Sequence, residues 1–124
     1  MIHYFQGVLQ TNIKVRVMKE AKQWYTEILG LHVEKDYDST VVLSFGGDNL
    51  GTLCLIEAGG EGFDCGSTYP VLRISEEYKD VLYKRLAEKG VQVEENPVHP
   101  SHFTFYDPDG NKLEAYCPGI YEEH

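Results

Sequence analysis

Apolar and polar residues alternate from Gln10 to Val15, the two-residue period of a half-buried strand, and residues 8–17 are read as the first strand. Residues 19–29 are rich in helix formers and stop at Gly30, which predicts a helix with a glycine at its C-terminal end. Residues 31–35 and 52–57 read as strands, and residues 40–45 as a continuous β-rich run. Gly46, Gly47, Asp48 and Asn49 mark a turn between the last two of these. Residues 58–68 are Gly-rich and polar and read as a connector.

The pattern then returns. Residues 69–74 form a strand, residues 76–89 a helix that stops at Gly90, and residues 91–94, 102–106 and 112–117 three more strands. Asp107, Pro108, Asp109 and Gly110 give a strong turn signal before the last one. At an offset of 60 residues, Gly30 matches Gly90, Val33 matches Val93, Glu34 matches Glu94, Phe45 matches Phe105 and Leu53 matches Leu113. Each half therefore reads strand, helix, strand, strand, strand. One such half leaves apolar faces uncovered, and two can bury them, so the chain is expected to be a single α+β domain over residues 1–124. Its modules are expected at about residues 1–58 and 69–120, with the linker at about 59–68.

Strand alternation sorts the side chains into two faces. Thr11, Ile13, Val15, Leu53, Leu55, Leu72, Ile74, Phe103, Phe105, Leu113 and Ala115 make an apolar face that should pack under the helices. Gln10, Asn12, Lys14, Thr52, Cys54, Ile56, Tyr69, Val71, Arg73, His102, Thr104, Tyr106, Lys112, Glu114 and Tyr116 fall on the other face. A solvated sheet surface would look like this, and so would the concave wall of a small-molecule pocket. The aromatic and amide content favours the pocket.

Composition narrows the picture. The 124 residues are 42% hydrophobic and 25% charged, a globular balance in one ordinary domain's length. A net charge of −9 argues against nucleic acid and against an anionic membrane surface as partners. No apolar run approaches the roughly 20 residues that span a bilayer. Cys54, Cys65 and Cys117 are odd in number and form no CxxC cluster, which predicts a reducing, cytoplasmic setting. The HYFQG stretch near the start is similar to a protease-tag remnant.

Residues 107–114, DPDGNKLE, carry a DPDGN-x-x-E pattern that resembles the signature of the vicinal oxygen chelate superfamily. That group includes glyoxalase I, bleomycin-resistance and fosfomycin-resistance proteins and extradiol dioxygenases. WYTEILGL at 24–31 is similar to that family's helix end, FY-x-x-x-LGL. The resemblance implies the glyoxalase/bleomycin resistance/dihydroxybiphenyl dioxygenase fold, two βαβββ modules forming cupped mixed sheets, and a homodimer. In metal-using members, four ligands come from equivalent strand positions, which correspond here to Gln10, Cys54, Tyr69 and Glu114. The family has His or Gln, then Glu or His, then His, then Glu. Gln10 and Glu114 fit that order, and Cys54 and Tyr69 depart from it.

The resemblance therefore implies a protein that binds a small organic molecule, with no cofactor expected. The alternative is a lyase or isomerase resembling glyoxalase I. It would hold a divalent ion (Ni, Zn, Mn or Fe) with Gln10, His102 and Glu114, and Glu114 would also act as catalytic base. Gln10, Asn12, Cys54, Tyr69, Arg73, His102 and Tyr116 are the expected ligand-binding residues. Each has a plainer reading as well. Glu114 can pair with Lys112, Lys14 or Arg73, Cys54 can be a small core residue, and Tyr69, Tyr106 and Tyr116 can fill the cup. His102 can be a hydrogen-bonded histidine without chemistry, His99 a loop residue, and His32 and His3 solvated.

Overall fold

Apolar residues at every second position give strands one dry face, and residues 40–44, 102–106 and 112–116 show that alternation in full. A computed structural model describes residues 2, 4–5, 8–46, 51–60, 63, 66, 69–95 and 102–118. The expectations for His3, His99, Cys65, part of the HYFQG stretch, the centre of the 46–49 turn and most of the Gly-rich connector lie outside these residues. The chain divides into two units, Met1–Asp64 and Cys65–His124.

The first unit contains β1 (Gln10–Val15), α1 (Met18–Glu27), β2 (His32–Asp36), β3 (Thr40–Ser44) and β4 (Thr52–Glu57). Its sheet runs in the order β1-β4-β3-β2, with β1 parallel to β4 and the other neighbours antiparallel. The second unit contains β5 (Val71–Arg73), α2 (Glu76–Glu88), β6 (Val93–Glu95), β7 (His102–Tyr106) and β8 (Lys112–Tyr116). It repeats the topology as β5-β8-β7-β6, again with one parallel pair, β5 with β8. These are two four-stranded mixed sheets built by βαβββ modules, the fold class the repeat implies.

The helices form where apolar spacing supplies one face. In α1 the buried Met18, Ala21 and Tyr25 recur at helical spacing. The backbone N–H of Met18, at its start, donates to the Glu57 carboxylate at 2.8 Å, so β4 caps the helix that precedes it. In α2, Leu86 is fully buried and Tyr83 packs edge-on against Phe103, ring centroids 5.3 Å apart. Gly90 ends α2 at φ 78°, where its N–H donates to Ala87 O and that of Val91 to Leu86 O. Gly30 takes the same left-handed conformation after α1, at φ 75°.

The apolar face is as expected at its centre. Ile13, Val15, Leu53, Leu55, Phe103, Phe105, Leu113 and Ala115 are buried, while Thr11, Leu72 and Ile74 are half-buried. Several details differ from expectation, among them β6, which is Val93–Glu95 and not residues 91–94. Regular pairing in β1 covers Gln10–Val15, not residues 8–17, and Val8, Leu9 and Val17 are exposed. β5 is only Val71–Arg73, because Pro70 has no N–H to extend the ladder, although its carbonyl accepts from Glu114 N. Strand register also equates Leu43, not Phe45, with Phe105, since Leu43 pairs with Leu53 as Phe105 pairs with Leu113. The β3–β4 connection (residues 45–51) is two residues longer than the β7–β8 connection (107–111), which absorbs the slip.

Candidate functional site

The turn before β8 sets the site's geometry. The Asp107 carboxylate accepts from the backbone N–H groups of Asp109 (2.9 Å) and Asn111 (2.8 Å) and from the Asn111 side-chain amide (2.8 Å). Asp107 and Asn111 are both buried, and Gly110 supplies the left-handed residue, φ 88°, between them. This fixes where β8 starts and therefore which of its side chains face each way. Leu113 and Ala115 point into the core, and Lys112, Glu114 and Tyr116 lie half-buried on the other face.

The neighbouring strands continue that face in rows. Glu114 stands between Val71 on β5 and Thr104 on β7, and Thr104 in turn faces Glu94 on β6. The next row runs Arg73, Tyr116, His102, with the His102 and Tyr116 rings stacked at 5.6 Å and 21°. On the other side, Lys112 pairs with Tyr106, and its ammonium lies 4.5 Å from the centroid of the Tyr69 ring.

An open pocket of about 380 Å³ lies on this face, within the second unit. Tyr69, His102 and Glu114, three residues expected at the site, line it together with Glu94, Glu95, Thr104 and Lys112. Glu94 is held on the sheet: its Oε1 accepts from the Tyr106 hydroxyl at 2.8 Å and from Thr104 Oγ1 at 3.4 Å. Donating to Glu94 raises the Tyr106 pKa above the ordinary tyrosine value, since the bond and the nearby charge favour the protonated phenol. Arg73 and Tyr116 share the face in the row beside the pocket but do not line it.

Gln10, Asn12 and Cys54 belong to the first unit. The Gln10 side-chain amide donates to Asn12 Oδ1 at 2.9 Å along β1, and both residues are exposed. Cys54 sits between Asn12 and Val42 in the register and is only 3% exposed. Burial pushes its thiol pKa up, which disfavours the thiolate that a metal ligand or nucleophile needs.

Glu94 and Glu95 were not singled out from the sequence as site residues, and Thr104 and Lys112 were placed only on the face. The repeat offset did pair Glu94 with Glu34. The signal that would have promoted Glu94 is its register opposite Thr104, which needs the β6–β7 pairing and not the local pattern.

Family members often use a divalent ion, so the donor set matters. Among the described residues no group of three or more His, Cys, Asp or Glu could hold a metal ion. Glu114 has Val71 and Thr104 as its register partners, neither of them a good ligand, and Cys54 is a buried, protonation-favouring thiol. Among the described residues, His, Cys, Asp and Glu side chains do not make up a divalent-ion site.

A family model described as the Glyoxalase/Bleomycin resistance protein/Dioxygenase superfamily matches residues 7–115, and the chain belongs to that superfamily. No curated protein matches it. Among solved structures it is similar to an integron cassette protein from the mobile metagenome of a Halifax Harbour sewage outfall. That protein is 28% identical, with 91% of this chain and 99% of that one covered and a TM-score of 0.74. It is also similar to TnmS3, an antibiotic-binding protein from Streptomyces sp. CB03234, at 25% identity, 95% and 100% coverage and a TM-score of 0.75. Likeness to the fosfomycin resistance protein FosX from Listeria monocytogenes, complexed with Mn(II) and sulfate, shows the fold alone. There the identity is 17%, the coverage 97% and 94%, and the TM-score 0.71. No helix among the described residues is long and apolar enough to cross a membrane.

Proposed function

We propose that this protein binds a small organic molecule in the second unit's pocket and does so without a resident metal. One observation carries the reading: Tyr69, His102 and Glu114 line one open pocket of about 380 Å³, a volume suited to a drug-sized molecule. The pocket sets the Tyr69 and His102 rings among three carboxylates, one ammonium and a hydroxyl, a more polar lining than most small-molecule sites have. Similarity to an antibiotic-binding protein supports it. In this reading Tyr69 offers its ring, His102 and Thr104 offer polar contacts, and Glu114 an anionic acceptor. Gln10, Asn12, Cys54, Arg73 and Tyr116 remain proposed contacts whose place lies outside the pocket lining. Self-association as a homodimer, which rests on the family resemblance, and a cytoplasmic setting, which rests on the cysteine pattern, belong to the same proposal.

The test is titration of a panel of aromatic and antibiotic compounds into the protein and into Tyr69→Ala. Saturable binding that weakens about tenfold or more in the variant is the expected result, as for loss of a ring contact. A panel that binds nowhere near this face counts against the proposal. Elemental analysis of protein purified without chelators separates it from the metal-dependent lyase: stoichiometric nickel, zinc, manganese or iron would favour the lyase.

A further inference from the structure

The pocket's charges are unbalanced in a way that selects among ligands. Glu94, Glu95 and Glu114 line it against one lysine. Among the described residues, Lys112 makes no ion pair with any of the three; its ammonium lies over the Tyr69 ring instead. The cavity therefore already shows an ammonium on an aromatic face, and its carboxylates keep their charge for something else. Glu94 is the best prepared of them. Two hydroxyls, from Tyr106 at 2.8 Å and Thr104 at 3.4 Å, converge on Oε1 of this exposed carboxylate and bias its orientation. Each carboxylate oxygen accepts along its own lone pairs, and this arrangement leaves Oε2 to receive a guest's donor.

We infer that the pocket selects a ligand bearing a protonated amine or similar organic cation, with Glu94 as the specificity-determining acceptor and Tyr106 as the residue that positions it. The inference rests on the pocket being the binding site. A fixed carboxylate pays little reorganisation on binding, whereas a freely rotating one must be ordered first. An anionic ligand meets three carboxylates, and a neutral one gains at most a hydrogen bond from them without the attraction of opposite charges.

The experiment uses three probes of similar size: phenethylamine, 2-phenylethanol and 3-phenylpropionate. Each is titrated into the full chain and followed by amide chemical shifts in β7 and β8. Phenethylamine is expected to bind about tenfold or more tightly than either other probe. Glu94→Gln should erase that preference. Tyr106→Phe should weaken the amine about threefold to tenfold and leave the alcohol unchanged, a split that mere loosening of the sheet would not give. Retention of the wild-type shift pattern away from the pocket confirms that the variants fold. If the alcohol or the carboxylate binds as well as the amine, the cation preference is overturned and the binding site stands. If Tyr106→Phe weakens all probes alike, or none, its positioning role is overturned. If no probe moves the pocket amides, the inference and the binding site fall together.

Discussion

The two units share a strand order, a helix placement and a left-handed glycine after each helix, yet their corresponding rows carry different chemistry. Across the first sheet the row reads Asn12, Cys54, Val42, Lys35; across the second it reads Val71, Glu114, Thr104, Glu94. One step along, both rows are apolar: Leu53 beside Leu43, and Leu113 beside Phe105. The core face is constrained in both units because each side chain there must fill space without a void. The opposite face bears no such demand. The lesson is that the repeat preserves packing and leaves the other face free to differ, so a site can exist in one unit without its twin.

The largest effects should come from the shared core. Phe105→Ala is expected to cost about 3–5 kcal/mol and Leu43→Ala about 2–5 kcal/mol in urea unfolding. Phe45→Ala should cost clearly less than Leu43→Ala, since Phe45 is only half-buried while Leu43 is fully buried. Equal losses at Phe45 and Leu43 would break the register equivalence between the units.

The turn before β8 comes next. Asp107→Ala strands a buried Asn111 amide and two backbone donors, for an expected loss of about 2–3 kcal/mol. A neutral result in the same unfolding measurement would mean that the turn does not fix β8. Smaller still is the contact that caps the start of α1. Glu57→Ala should destabilise by about 0.5–2 kcal/mol by removing the acceptor of Met18 N–H. The residue 60 positions on, Cys117, has its thiol directed to Pro118 O, so Cys117→Ser should leave the start of α2 as it is by amide exchange.

The finest comparison is electrostatic. Tyr106 titrates above the ordinary tyrosine value of 10.0 because it donates to Glu94. The raised folded value means the bond's stabilisation is complete below pH 10 and is lost as pH climbs through the folded pKa. Phenolate absorbance should show one late-titrating tyrosine that moves earlier in Glu94→Gln. No change in that variant would detach Tyr106 from Glu94.

Much of this was legible in the chain. Alternation located the strands, glycines located the helix ends, and Leu53 and Leu113 anchored the repeat, because each of these is a local demand on backbone or burial. Glu114 and His102 were placed on the right face by the same arithmetic. What stayed hidden depends on register between strands. Phe45 resembled Phe105 at the offset of 60, but loop length shifted the pairing to Leu43. Glu94 joins the pocket because β6 pairs with β7, across a connection whose length no pattern within β6 announces. Cys54 stood out only by its position, and burial raises its thiol pKa.

The closed hydrogen-bond set around Asp107 has a consequence for how such proteins are sorted. The DPDG stretch made the family visible, and its central carboxylate is engaged in holding its own loop. A motif retained for that reason reports that a hairpin must close, and it says the same whatever reaction or ligand the neighbouring strands serve. Classification that leans on it groups proteins by a folding requirement. The residues inferred above to select the ligand, Glu94 and Tyr106, lie outside that hydrogen-bonded turn.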